Sequence, residues 1–574
     1  MAKIDFKTKE GKEIFWHSTS HLLAQAVKRI FPEAALTIGP AIESGFYYDF
    51  DFRPFTPEDI KKIEDEMKKI AHEKLKIEKV ELTKEEAKKQ FKNNPYKLEL
   101  INEAEGKITA YKQGEFTDLC KGPHVDSTGE LKAFKLLKTS GAYWRGKSEN
   151  KQLQRIYGIS FPDKVMLNDY VTKLQEAEKR DHRKIGKDLE LFFFNEYSPG
   201  SAFFEPNGAI IYNELVKFVR EEYVKRGYKE VITPLVYDKE LWKTSGHWEH
   251  YKDDMFTLTV DGKEYALKPM NCPSHVLIFK NHTRSYKDLP LRIADFAPLH
   301  RNELKGVLGG LTRVRKFSQD DAHIFVAEEQ LEKELFEVID FVDFVYKKTF
   351  SLSYTAVLST RSEKFMGERK LWDKAEKILN DVLKKKKINF TVAGGEGAFY
   401  GPKIDFKIKD AIDREWQLAT IQLDFQLPLR FEATYDGEDN KKHTPIMIHR
   451  AILGSPDRFM GVFIEHCAGK FPLWLSPVQV ILLPIADRHN DYCKEAAKKM
   501  FDAGVRVEVD DKTETTPKKV RNSELRRINY ILVVGDRELE NKTVNVRTRD
   551  NKILGEKKVD EFLKEILEEI KERK

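Results

Sequence analysis

From residue 478 onward the chain alternates apolar, β-branched runs with helical stretches: VQVILLPI, a helix, VRVEV, a second helix, then INYILVVG. Strands interleaved with helices need crossover connections, so the segment after Trp474-Leu475-Ser476-Pro477 is predicted to be a small α/β domain on a largely parallel sheet. A chain of 574 residues is too long for one core, and length alone suggests about three or four domains. Upstream, residues 1 to about 160 combine a helix over His17 to Arg29, a Gly-containing turn and strand (IGPAIESGFYYDFDF) and a Lys/Glu-rich helical stretch. Asp163 to about Lys187 reads as one amphipathic helix with Leu167, Tyr170, Val171 and Leu174 on a single face. Residues 188 to about 475 alternate helical stretches with runs such as LRIADFAPL and IMIHRAIL.

The composition excludes several classes. No run approaches the roughly 18 apolar residues of a membrane span, and MAKIDFKTKEGKEIFW is charged where a signal peptide would be apolar. Cys120, Cys272, Cys467 and Cys493 are too few for a disulfide framework and fit a reducing cytoplasm. A net charge of +6 permits a nucleic-acid partner without demanding one.

Three segments of the middle region carry chemistry together. An amphipathic helix (LVKFVREEYVKRG) runs into a predicted strand, Tyr228 to Pro234. HRNELKGVLGGLTRVRKFSQDDAHIF ends one strand at Arg301 and Glu303, loops through glycines, and sets Arg313 and Phe317 on a second. IHRAILGSPDRFMGVFIEH is a strand ending at Gly454-Ser455, followed by a helix opening with Arg458. Arginine forks suit phosphate oxygens on which charge builds, although a lone arginine is more often a surface ion pair. Cys272 in KPMNCPSHV, His323 in QDDAHIF and His449 in PIMIHRAIL form a three-ligand zinc set by donor type, with an open fourth position. Taken singly, each is as readily a core residue.

In order and local structure, the three segments resemble motifs 1, 2 and 3 of the class II aminoacyl-tRNA synthetases, and the Cys/His contexts resemble those of the threonyl-tRNA synthetases. The resemblance implies a multidomain α+β and α/β protein. Its parts would be an α+β editing domain (1–162), a linker helix (163–187), an antiparallel-sheet catalytic domain (188–475) and an α/β anticodon-binding domain (476–574). It also implies ATP-dependent activation of L-threonine, transfer to tRNA(Thr), Mg²⁺ with the ATP, one zinc per subunit, a homodimer and a cytoplasmic location.

By the same resemblance Arg301 lies on the α-phosphate, Arg313 and Arg458 lie toward the γ-phosphate, Phe317 stacks on adenine and Glu303 meets its amino group. Gln417 and Ser455 complete the ATP site. Cys272, His323 and His449 hold zinc; Asp321, Gln319, Gln422 and Tyr400 line the threonine pocket. Lys403 (in GGEGAFYGPKIDF) joins the catalytic set, and His247 (in TSGHWEHY) is placed to relay a proton from the terminal ribose.

In residues 1–160, HSTSH sets His17 and His21 on one helix face, and TDLCKGPHV supplies Asp118, Cys120 and His124. With Tyr48 and Lys97, these resemble the site that hydrolyses seryl-tRNA; the alanyl relatives imply zinc there and the threonyl ones do not. In the terminal domain Asn545, Arg547 and Arg549 alternate with Val544, Val546 and Thr548, and Lys518, Lys519, Arg521, Arg526 and Arg527 add positive charge. The resemblance implies Glu538 and Arg547 as anticodon contacts, with Thr513 where the family has asparagine. It also implies a chain without the family's N-terminal TGS domain. A free-standing editing hydrolase and a non-catalytic RNA-binding relative are the competing readings. The three arginines oppose the first and the Cys/His set the second.

Overall fold

The computed structural model describes residues 5–147, 149–363 and 365–574, and the chain divides into two compact units, Met1–Gln175 and Glu176–Lys574. In the first, the helix Lys9–Ile30 starts where the Thr8 hydroxyl accepts from the Gly11 N–H, and it contains the predicted His17–Arg29 stretch. It packs on a five-stranded sheet whose central strands are Gly45–Asp51 and Gln152–Phe161. The two-residue period puts Phe46, Tyr48 and Phe50 on one face, and all three are fully buried. A second sheet, Ile77–Leu82, Ile108–Gln113 and Phe116–Leu119, carries Asp118.

The connector differs from expectation. In place of one helix over 163–187 there are two, Lys164–Arg180 and His182–Asp188. Asp181 leaves the helical backbone (φ −49°, ψ 119°), and its carboxylate accepts from the Arg183 N–H as the cap of the second helix. The apolar face is where the periodicity places it, since Leu167 and Tyr170 pack on the first unit's core.

The second unit is built on an eight-stranded sheet in the order 229–230, 291–295, 321–326, 446–451, 415–424, 403–409, 354–359, 390–393, antiparallel except for its two outermost pairings. The predicted strand Tyr228–Pro234 is regular only over Lys229–Glu230. Ala322, Ile324, Ile448, Ile421, Leu423 and Phe406 face the helical core, with Leu335, Val338 and Phe341 among their neighbours. Alternation therefore turns His323, His449, Gln422 and Lys403 to the opposite face.

The terminal region has a five-stranded sheet, 507–509, 480–484, 530–534, 543–548, 553–558. Its first three strands are parallel, as read from sequence, and the last two form an antiparallel edge. No helix among the described residues is long and apolar enough to cross a membrane.

Candidate active site

Register builds the centre of the site. His323 pairs with His449, His449 with Gln422, and Gln422 with Lys403, so one cross-strand row carries all four side chains on the same face. His323 Nε2 and His449 Nδ1 are 2.9 Å apart. Cys272, the first residue of the helix Cys272–Lys280, brings its Sγ to them, and the three ligand atoms lie within 4.8 Å of one another. All three residues are buried.

The outer contacts orient these donors. His449 Nε2 lies 2.9 Å from the fully buried Asp424 carboxylate, which fixes the proton there and leaves the Nδ1 lone pair facing His323. His323 Nδ1 lies 2.7 Å from His275 Nδ1. Burial raises the Cys272 thiol pKa well above its ordinary value and drops that of His323 well below. A soft thiol and two imidazole nitrogens converging in a dry pocket, with a carboxylate behind one ring, fit a zinc ion.

This cluster lines a cavity of about 530 Å³ that Arg301, Arg313 and Arg458 also line. Pro298–His300 and Lys316–Ser318 form the hairpin that brackets it. Arg301 follows the first strand, its guanidinium 5.0 Å from the centre of the Phe317 ring. Arg313 stands on the loop before the second strand, contrary to the expectation that the strand carries it, and pairs with Glu303 at 2.9 Å. Ser455 caps the helix Pro456–His466 by accepting from the Arg458 N–H. The Arg458 guanidinium donates to the Thr312 carbonyl at 3.3 Å, while its buried Nε has no partner among the described residues. Burial, then the charge of Arg313, lower the pKa of Arg458.

Gln319, Asp321, Tyr400, Lys403, Gln417 and Gln422 line the same cavity. Asp405, which sequence reasoning missed, holds two of them: it pairs with Lys403 at 2.8 Å and accepts from Gln417 at 2.6 Å. Asp424 and His275 were missed as well. Asp424 was legible, because it lies two residues past Gln422 on the same strand face. His247 does not line the cavity. It is fully buried behind Cys272, with Nε2 3.9 Å from Sγ and Nδ1 2.8 Å from Ser245 Oγ, and burial lowers its pKa to about 3.

The first unit has its own cluster. His17, His21, Cys120 and His124 bring ligand-type atoms within 4.8 Å. Cys120 Sγ is 3.0 Å from His124 Nε2 and 3.4 Å from His17 Nε2. Beside it Asp118 accepts from Tyr48 Oη and pairs with Lys97 Nζ, each at 2.5 Å, and Lys97 is 2% exposed. Burial keeps the imidazoles of His17, His21 and His124 neutral by lowering their pKa values and raises the Cys120 thiol to about 11.

The terminal domain corrects part of the charge reading. Val544 and Val546 are buried while Asn545 and Arg547 are half-exposed, as the alternation requires. Lys519, however, is buried and donates to the Pro484 and Asp510 carbonyls. Arg526 pairs with Glu508, Lys518 with Glu514, and Arg549 donates to the Phe471 carbonyl. The Glu538 carboxylate accepts from the Gly535 N–H.

A buried Cys/His set and an arginine-lined cavity on one antiparallel sheet, followed by a mixed five-stranded domain, define a class II tRNA synthetase. Residues 256–467 match the class II core domain (G, H, P, S and T), residues 479–569 an anticodon binding domain, and residues 108–157 the threonyl and alanyl tRNA synthetase second additional domain. The chain is 51% identical over 576 residues to the threonine–tRNA ligase of Finegoldia magna, covering 100% of this chain and 91% of that one. It is 53% identical over 572 residues to the threonine–tRNA ligase of Caldanaerobacter subterraneus subsp. tengcongensis, covering 99% and 89%. Among solved structures, the RNA binding domain of threonyl-tRNA synthetase from Cryptosporidium parvum Iowa II superposes with a TM-score of 0.66 at 44% identity, covering 68% of this chain and 98% of that one. Prolyl-tRNA synthetase of Cryptosporidium parvum shares the fold, with a TM-score of 0.54 at 19% identity over 68% of this chain and 75% of that one. The chain belongs to the threonine–tRNA ligase family.

Proposed function

We propose that the chain activates L-threonine with ATP, transfers it to tRNA(Thr), and hydrolyses mischarged seryl-tRNA(Thr) in residues 1–162. The carrying observation is that the Cys272–His323–His449 cluster and the three arginines share one cavity. Cys272, His323 and His449 would hold a zinc ion, which when bound polarises the amino acid's amine and hydroxyl. Asp321 accepts from the substrate hydroxyl, with Gln319, Gln422 and Tyr400 around it. Arg301 meets the α-phosphate, Arg313 and Arg458 the γ-phosphate, Phe317 and Glu303 the adenine, with Gln417, Ser455 and Lys403 completing the site. Mg²⁺ accompanies the ATP and offsets the charge the arginines leave.

His247, whose Nε2 lies 3.1 Å from Met270 Sδ in this structure, would relay a proton from the terminal ribose. Glu538 and Arg547 read the anticodon. The exposed Val224, Ile232, Leu235 and Val236 around the first motif support a homodimer interface, and a cytoplasmic location accords with the substrates. The testing experiment is ATP–pyrophosphate exchange with each amino acid, with and without a chelator. Threonine should drive exchange best, serine more weakly, and chelation should stop both; exchange driven by another amino acid, or indifferent to chelation, overturns the reading.

Asp424 should matter through His449. Asp424→Asn loses the carboxylate that holds the His449 proton and should weaken metal affinity by roughly 10–100-fold. Competition with a chromophoric chelator reads this directly, and unchanged affinity would exclude the arrangement.

Serine requires the second site. A polar pocket rejects valine by roughly 10⁴–10⁵, because valine leaves its partners unpaired, but serine lacks only a methyl, worth roughly 10–200-fold. His17→Ala or Cys120→Ala should leave threonylation near wild type while seryl-tRNA accumulates and valyl-tRNA does not. Charging tRNA with radiolabelled serine checks this; no extra seryl-tRNA in either variant would remove the editing role from these residues.

A further inference from the structure

We infer that His182, on the connector and outside every motif above, is a positioning residue that sets the loop carrying Arg313. The inference rests on the assignment of Arg313 and Arg458 to the ATP phosphates. His182 is buried, and among the described residues each ring nitrogen has one hydrogen-bond partner. Nε2 accepts from the Leu311 N–H at 3.0 Å, so it carries no proton. Nδ1 therefore does, and it donates to Glu465 Oε1 at 2.6 Å, while the His182 backbone N–H reaches the same oxygen at 3.1 Å. Glu465 cannot swing away, because Arg414 holds its second oxygen at 2.5 Å. Asp181, His182 and Glu465 bring ligand-type atoms together, but those two partnerships already use both the imidazole and the carboxylate, so the cluster is a fixed strut rather than a metal site.

The strut ends on the turn Gly310–Thr312, whose Leu311 and Thr312 line the cavity immediately before Arg313. A Cβ on Gly310 would stand 2.2 Å from His182 Nε2, and Gly310 has φ +59°, so the ring seats directly against backbone that only glycine adopts freely. On its other side the turn offers the Thr312 carbonyl to Arg458. Arg458 and Glu465 are seven residues apart on one helix and so share a face. One helix thus grips the turn at two successive groups, directly through Arg458 and indirectly through Glu465 and His182. If the Leu311 N–H loses its acceptor, a buried donor is left unsatisfied, and the turn relaxes toward water together with Arg313.

Two substitutions separate the halves of the strut. In His182→Asn the amide nitrogen takes the place of Nδ1 and keeps Glu465 while the acceptor for Leu311 is gone. In His182→Gln the amide oxygen takes the place of Nε2 and keeps Leu311. ATP–pyrophosphate exchange at varied ATP should show a KM for ATP raised about tenfold in His182→Asn, with the KM for threonine and the zinc content unchanged. His182→Gln, which keeps the Leu311 contact and remains tied to Glu465 through the unchanged backbone N–H, should stay close to wild type. Hydrogen exchange of the peptide spanning 308–314 should quicken in His182→Asn and not in His182→Gln, a readout independent of turnover.

A wild-type KM for ATP in His182→Asn overturns the proposal, as does an equal loss in both variants accompanied by matched rises in both KM values. If His182→Asn does not fold, His182→Gln decides: a wild-type ATP KM with a protected loop supports the strut, and a raised KM with a mobile loop overturns it. Failure of the underlying ATP assignment would look different, as Arg313→Ala and Arg458→Ala enzymes that exchange normally.

Discussion

In a Cys272→Ala variant, threonine-dependent ATP–pyrophosphate exchange should fall by roughly three orders of magnitude or more. Metal content should drop from about one zinc per chain to a small fraction of that. A bound cation that polarises substrate contributes several kcal/mol to the transition state, and each 1.36 kcal/mol is about tenfold in rate. The fold should survive. Cys272 opens a helix on which Val276 and Phe279, both fully buried, pack with Leu291, Phe325 and Met447, so the cluster has a core without the sulfur. The proposed zinc site is thus unlike a small metal-stapled domain, where the ion supplies the folding energy. Metal analysis, exchange kinetics and a thermal melt on the same preparation check all three statements. Full zinc with full activity would remove Cys272 from the ligand set, and a melt lowered to that of an unfolded chain would make the metal structural.

Arg458→Ala should slow adenylate formation by roughly 10²–10³-fold, as expected when one preorganised charged donor is removed from a developing phosphate charge. The side chain is largely dehydrated, and among the described residues its one hydrogen bond goes to the Thr312 carbonyl and its Nε has no partner. Such a group costs free energy where it stands, and a phosphate oxygen is the partner that would relieve it. Hydrolysis of supplied seryl-tRNA should be unchanged, because the His17–Cys120 cluster belongs to the other compact unit. Single-turnover measurement of both reactions tests the separation; a parallel fall in the two would show that they share a site.

Much of this was legible in the residues because it depends on period and order. Alternation along IMIHRAIL and WQLATIQLDF fixes which side chains leave the core, and the observed faces follow it. The Cys/His residues, far apart in sequence, meet because strand pairing brings two of them side by side and a helix start delivers the third. What escaped was set by distant partners. The break in the connector turns on Asp181 acting as a cap, a signal present in the sequence but hidden by an unbroken charged pattern. Lys519 looked like surface charge, and its burial depends on carbonyls of Pro484 and Asp510 that no local pattern announces. His182 belongs to the same group, since both of its partners lie more than a hundred residues away.

The cross-strand row of His323, His449, Gln422 and Lys403 bears on how such an enzyme can change. On the roles proposed above, the two imidazole ligands and Gln422 stand perpendicular to the strands, one letter per strand, whereas the phosphate contacts of Arg301, Arg313 and Arg458 stand on a hairpin, a loop and a helix end. A point substitution in the row alters one letter and leaves those contacts untouched. A one-residue insertion in any of these strands would instead turn that strand's letter to the opposite side of the sheet and bring a core residue into the pocket. Specificity in this scaffold is therefore open to drift by replacement and closed to drift by insertion, and sequences diverging toward a different amino acid should keep the spacing between these positions and the core residues beside them while the letters themselves change.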